Sequence, residues 1–322
     1  MKLREEVAQT AWFVKEQGRL DVLRKRRLVR RGLHLPVLPR RRRTPGEIWA
    51  VTMVRDELDV LGATIAHLFA QGVDHVLVSD NLSTDGTREL LAELASRNSQ
   101  LHLAVDDEPA YHQAEKMTRL AAAATRAGAD WIVPFDADEF WFAPGGSLAD
   151  HLRTLARERP DVGIVRAAFH NMLPVGPWPG PMRMDASPVV PGKVAIRSHP
   201  LATLSVGNHG ASRVGAMADG LKVAHAAYRS LGQLTRKLRQ GTDAVMRTDP
   251  RSGMARHWRA GAALSDADLR EVWTRITSGE SDDRINFRFG GPTVTVDPWA
   301  WTLWDPDRVL PDAPAHSMYA DE

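Results

Sequence analysis

GADWIVPFDADEFW, residues 128–141, decides the fold. Five apolar residues, Trp131 to Phe135, run straight into Asp136, Asp138 and Glu139. A short apolar run with polar flanks reads as a buried strand. Three carboxylates within four positions repel one another and raise one another's pKa, a conflict that a cation removes. Hard divalent ions such as Mg2+ or Mn2+ take oxygen ligands, commonly one or two carboxylates plus substrate phosphates. Alternation along an extended backbone sends Asp136 and Asp138 to one side and Ala137 to the other. The D-x-D spacing therefore suits one metal–diphosphate unit.

Working outward, strands alternate with helices. IWAVTMV (48–54), HVLVS (75–79), LHLAV (101–105), WIVPF (131–135) and VGIVRAA (162–168) are strand-like. Helical spacing or composition marks 57–70, 84–94 with Asp85 as its cap, 112–127 and 147–158. This alternation predicts βαβ units and a mostly parallel sheet, with ligands bound beyond the carboxyl ends of the strands. Three polar clusters fall at that edge: Arg55-Asp56-Glu57, the run from Asp80 to Thr87, and Asp136 to Glu139. Residues 171–192 hold six prolines and read as a long loop or lid. KVAIRS (193–198) is expected to rejoin the sheet, and residues 220–245 to run from strand into helix. Ser265 and Asp268 form a capping box before the helix 269–276. Trp299, Trp301 and Trp304 are expected to pack against the body.

The 322 residues are 43% apolar and 25% charged, ordinary for a globular chain. Cysteine is absent, which excludes disulfides, thiolate metal sites and a cysteine nucleophile. No run of 18 apolar residues occurs, and the first twenty residues lack the apolar core of a secretory signal. A cytoplasmic location is expected. Residues 1–45 carry a net +10 of the chain's +2, which leaves −8 for the rest. A basic arm on an acidic body argues against nucleic acid as partner. Within the arm, 24–43 reads as a solvated linker, or as a segment drawn to an anionic inner membrane face at about 1 kcal/mol per basic residue.

Together, MVRDE (53–57), GVDHVLVSDNLSTDGT (72–87) and GADWIVPFDADEFW resemble family-2 glycosyltransferases of the GT-A fold, in the branch with a D-x-D-E-F motif. The likeness covers roughly residues 46–240. It implies an α/β protein with a Rossmann-like nucleotide half and an acceptor half. The division that follows is a basic arm with a short helix at 1–45, the transferase domain at 46–245, and a helical, Trp-rich extension at 246–322. It also implies a nucleotide-sugar donor, Mn2+ or Mg2+, and a saccharide or lipid-linked acceptor, with a role in cell-envelope or surface polysaccharide synthesis. By similarity, Arg55, Glu57, Ser83 and Asp85 lie near the nucleotide, and Asp80 hydrogen-bonds the base. Asp136 approaches the ribose or the metal, Asp138 ligates the metal, and Glu139 orients either neighbour. Lys193, His209, His225, Tyr228, Ser230 and Lys237 resemble the family's later pattern. Within it, His225 is a further metal candidate and Lys193 and Lys237 are phosphate contacts. Inverting members use a carboxylate base after the D-x-D, and no clear Glu-Asp pair stands there. Asp219 and His209 are the alternatives. The rivals are a nucleotidyltransferase, an aspartyl phosphatase, disfavoured by Phe140 and by the motif's late position, and a non-catalytic nucleotide-sugar module.

Overall fold

The computed structural model describes residues 2–248 and 260–298. Two compact units divide the chain: Met1–Ala167 with Lys193–Leu221, and Ala168–Gly192 with Lys222–Glu322. The arm belongs to the first unit.

That unit begins with helices α1 (Lys2–Gln17) and α2 (Leu20–Gly32) and a two-residue strand β1 (Leu33–His34). The α/β repeat follows: β2 (Ile48–Val54), α3 (Leu61–Ala70), β3 (His75–Asp80), α4 (Thr87–Arg97), β4 (Leu101–Asp106), α5 (Gln113–Ala127) and β5 (Trp131–Pro134). Next come β6 (Glu139–Phe142), α6 (Leu148–Glu158), β7 (Val162–Pro174), β8 (Met182–Asp185) and β9 (Val189–Arg197). A small hairpin, β10 (Thr203–Leu204) and β11 (Ala211–Ser212), precedes β12 (Ala216–His225). The last described elements are α7 (Leu231–Thr248), α8 (Asp266–Ser278) and β13 (Thr293–Val296).

The sheet order is β1-β4-β3-β2-β5-β9-β7-β12-β6. The pairs β4–β3, β3–β2 and β2–β5 are parallel, whereas β1–β4 and β5–β9 are antiparallel. The middle strands are apolar on both faces because helices cover both, as in sheets built from βαβ units. In α5, Ala121, Ala123, Ala124 and Ala127 are buried, and they join Trp49, Val51, Leu77 and Ile132 in one core. Side chains this small let the helix lie close to the sheet.

The arm corrects the linker reading of 24–43. Residues 20–32 are helical, and Val29 and Leu33 are buried in the core. Arginines repel in water by only about 1 kcal/mol at 4 Å. Burying a Val or Leu contributes about 1.5–3 kcal/mol, so docking wins. Beyond the prolines, Arg41 N and Thr44 N donate to Arg126 O and Gly128 O, which ties the chain to the end of α5.

The expected loop at 171–192 also needs correction. Strand β7 runs on to Pro174, β8 occupies 182–185, and β9 begins at Val189. Proline removes only its own donor, and it is tolerated where no ladder bond is required. Pro174 ends its strand, and Pro191 is exposed in β9. In the second unit β8 pairs antiparallel with β7 and with β13. The core of that unit gathers Leu173, Tyr228, Leu234, Leu238, Leu269 and Val272. The capping box of Ser265 and Asp268 is present at α8. Trp299, Trp301 and Trp304 lie outside the described residues.

Candidate active site

At the end of β5 the chain turns sharply into β6. Glu139 N donates to Asp136 O at 3.0 Å, and Asp136 N donates to Glu139 Oε2 at 3.1 Å. Thr64 of α3 holds the turn by donating its hydroxyl to Ala137 O. Antiparallel pairing of β9 beside β5 delivers Lys193 to the same place. Its Nζ lies 2.8 Å from Asp136 Oδ2 and donates to Gly207 O at 2.7 Å. Glu139 Oε1 is 2.6 Å from Nζ, an ion pair off the hydrogen-bond direction. The Lys193 and Glu139 side chains are buried, while that of Asp136 keeps 32% of its surface.

A second loop completes the cradle. Asn208 Nδ2 donates to Asp136 Oδ1 at 3.2 Å, and Gly207 N donates to Gln113 Oε1 at 2.6 Å. Gln113 Nε2 stands 3.5 Å from Asp136 Oδ1, at the outer limit of a hydrogen bond. Gly207 has φ +75°, and a Cβ there would lie 2.4 Å from His209 Cδ2. Only glycine lets the His209 ring fold back onto this turn.

The charges separate by environment. Burial opposes the Asp136 carboxylate, but Lys193 outweighs it and holds the carboxyl below its ordinary range. Burial pushes the Glu139 carboxyl well up, and Asp136 and Asp138 add to the push against Lys193. Burial works against the Lys193 ammonium, yet Asp136 and Glu139 raise its pKa. The Tyr111 hydroxyl is pushed up by burial and by the neighbouring charges of Asp136 and Asp138. One ammonium therefore neutralises one ionised carboxylate beside a carboxyl that resists ionising.

The loops after β2 and β3 are laced together. Asp56 N donates to Ser83 Oγ, Thr84 N to Asp56 Oδ1, Glu57 N to Thr87 Oγ1, and Leu58 N to Asp85 Oδ2. Asp80 Oδ2 accepts from Arg88 Nε at 2.7 Å, while Asp80 Oδ1 is buried without a hydrogen-bond partner among the described residues. Arg55 Nε lies 3.8 Å from Asp56 Oδ2. Beneath them Lys116 and Asp106 form a fully buried pair at 2.7 Å, and Asn81 Nδ2 donates to Asp106 Oδ2. Because β3, β2 and β5 are parallel neighbours, their three polar ends share one edge of the sheet.

The sequence pattern of Glycosyl transferase family 2 matches residues 49–218, more than half of the chain and inclusive of every strand end just described. The chain belongs to this family. It is a glycosyltransferase, and its mostly parallel α/β sheet is the one expected of the GT-A class. This sets aside the nucleotidyltransferase and the phosphatase. No curated protein matches the sequence. Among solved structures, the mannosyltransferase PcManGT from Pyrobaculum calidifontis in complex with GDP-Man and Mn2+ is 16% identical. That superposition covers 87% of this chain and 88% of the other, with a TM-score of 0.39. TarS 1–349 of S. aureus in complex with UDP is 9% identical over 70% of this chain and 69% of that one, with a TM-score of 0.36. Superpositions this weak leave the family membership to the sequence match.

In this glycosyltransferase, Asp136, Glu139 and Lys193 meet directly, and His209 packs on the Gly207 turn that receives Lys193. Asp80, Ser83 and Asp85 belong to the neighbouring loop. Ser83 and Asp85 spend their oxygens on backbone amides of 56–58 and 87. Asp219 is held in a two-pronged pair by Arg166, at 2.7 Å for each oxygen. His225 and Lys237 lie in the second unit. There His225 Nδ1 shares a 2.9 Å hydrogen bond with Asn171 Oδ1, and Lys237 Nζ donates to Ala227 O. Sequence reasoning missed Gln113, Asn208, Tyr111 and Lys116. The glycines around VGNHG mark a turn, but nothing in the sequence joins that turn to Asp136. A lysine on an alanine-rich helix reads as solvated.

Proposed function

We propose that the chain transfers a sugar from a nucleotide-sugar to an acceptor hydroxyl with inversion, assisted by a divalent cation. The observation that carries this reading is the acidic strand end, Asp136 to Glu139, beside the laced loops after β2 and β3. In this reading Asp80 takes the base through the oxygen that Arg88 leaves unbonded, and Arg55 and Glu57 flank the nucleotide. Ser83 and Asp85 hold the shape of that pocket. Lys193 fixes Asp136 toward the ribose and meets the diphosphate, and Glu139 positions Lys193.

With Lys193 taken up by Asp136 and Glu139, Asp138 would be the carboxylate that holds a hard cation, with Asp136 beside it and the remaining ligands coming from donor phosphates and water. Among the described residues no group of three or more His, Asp or Glu makes a full cage. Bound Mn2+ or Mg2+ supplies positive charge where the nucleoside diphosphate departs. The acceptor oxygen attacks the anomeric carbon opposite the phosphate, and the carbon–phosphate oxygen bond breaks with its electrons on the diphosphate. His209 takes the hydroxyl proton. Asp219, occupied by Arg166, is the weaker base. His225 and Lys237 are assigned to the acceptor half. A saccharide or lipid-linked acceptor of the cell envelope suits the basic segment 24–43, whose charges would rest on an anionic inner membrane face.

A panel of nucleotide-sugars, scored for nucleoside diphosphate release with and without Mn2+, tests the reading. One donor should turn over, and Asp138→Ala should lower kcat by about 100-fold or more, the scale of a lost electrostatic contact in the transition state. Full metal-dependent turnover by Asp138→Ala would overturn the assignment.

A further inference from the structure

Away from the acidic site, the first unit holds a cavity of about 520 Å³ between α1 and α2 on one side and α5 with residues 200–204 on the other. Small-molecule sites run from roughly 300 to 1,000 Å³. Five guanidinium groups line it, those of Arg26, Arg30, Arg40, Arg119 and Arg126, against one carboxylate, Glu115. Among the described residues none of the five is paired with a carboxylate. Arg26 lies 5.5 Å over the Phe13 ring. Arg119 Nη2 donates to Leu33 O at 3.2 Å, but its Nε is buried with no hydrogen-bond partner. Burial, then the charges of Arg30 and Arg126, hold Arg119 below its ordinary value. These like charges line one cavity, with Glu115 the one carboxylate beside them.

The remaining walls are mostly apolar, with Gln17, Thr118 and Thr203 among them. Val22, Val29, Ala122 and Leu204 contribute, and Val29 and Leu204 are themselves core residues. Arg30 and Arg126 are exposed, so charge faces solvent and hydrocarbon surface lies deeper. Guanidinium forks match phosphate oxygens two at a time. Inorganic phosphate would satisfy the arginines and leave the apolar walls wet. A neutral hydrocarbon would do the reverse.

We propose that this cavity binds an anionic amphiphile, a phosphate monoester bearing a single hydrocarbon chain. Arg30, Arg119 and Arg126 take the phosphate, and Val22, Val29 and Leu204 line the path of the chain. The site goes beyond the transferase reading and does not depend on it. The link between the two is α5, where Gln113 reaches toward Asp136 and Thr118 Oγ1 accepts Leu204 N on the cavity wall.

Calorimetric titration of the full chain tests this with three probes: dodecyl phosphate below its micelle concentration, inorganic phosphate, and dodecyl maltoside. Dodecyl phosphate should bind one to one, at least about tenfold tighter than either other probe, because each lacks one half of the recognition. The double variant Arg30→Gln with Arg126→Gln alters two exposed, unpaired side chains and should keep its circular dichroism while losing about tenfold in affinity. Arg119→Gln should do the same, and if it fails to fold the exposed pair carries the test. Equal binding of the maltoside, equal binding of inorganic phosphate, or unchanged affinity in the double variant would each overturn the proposal.

Discussion

Lys193 shows how one residue sets the charge state of a site. Its ammonium is buried and held by two carboxyl groups, so removing it strands charge in the interior. Breaking a buried pair from one side costs about 3–5 kcal/mol. Lys193→Met should lower the urea midpoint accordingly, and adding Asp136→Asn should restore part of the loss. Equal midpoints for Lys193→Met and wild type would contradict the geometry. Asp185 is a different case. It is fully buried, it accepts Gly290 N and Asn171 N, and burial raises its carboxyl to about 7 against those bonds. The unfolded chain gives up this proton near its ordinary value of 3.8, and the folded chain only near 7. The group's contribution is thus full below about pH 4 and is lost as pH rises toward 7, at about 1.4 kcal/mol per pH unit. Wild-type stability measured relative to Asp185→Asn should fall across that window and level off above it. A flat difference between pH 4 and 8 would show that the carboxyl titrates normally.

Among the elements, the turn 205–210 does what no single side chain does. Its Gly207 carbonyl receives Lys193, its Asn208 amide holds Asp136, and its His209 ring folds over the glycine. A left-handed backbone costs a non-glycine residue about 1 kcal/mol, and an added Cβ meets the imidazole. Gly207→Ala should therefore lose about 1–2 kcal/mol of stability in chemical denaturation, while turnover falls much further because the ring is displaced. Equal losses in both would mean that the turn is only a scaffold. From this element the sequence offered only His209, as a candidate base. Its connection to Asp136 was not legible, because Gln113 and Asn208 are 23 and 72 residues away from it in the chain.

For the whole molecule, the arm matters more than its charge suggested. Strand β1 pairs with the outer edge of β4, and Val29 and Leu33 enter the core. Deleting residues 1–34 should cost roughly 3–6 kcal/mol, the burial of those two side chains, and should expose a strand edge prone to pairing. Thermal melts and ANS binding would report it. An unchanged melting temperature would mean that the arm rests on the surface only. Membrane attraction is better tested by replacing Arg24, Arg27 and Arg31 with Gln, since deletion confounds charge with packing. Flotation on anionic vesicles should weaken in that variant.

The mostly parallel α/β sheet, the strand ends that carry Asp56, Asp80 and Asp136, and the family are all readable along the chain. Hydrophobic period and turn residues are local, and they are written along the chain. Only the tertiary structure decided that Lys193 neutralises Asp136, that Arg166 occupies Asp219, that Lys116 is buried against Asp106, and that the basic arm packs as a helix. Each of these is a contact between distant segments, where burial and charge pairing compete, and the winner depends on which neighbours the fold supplies.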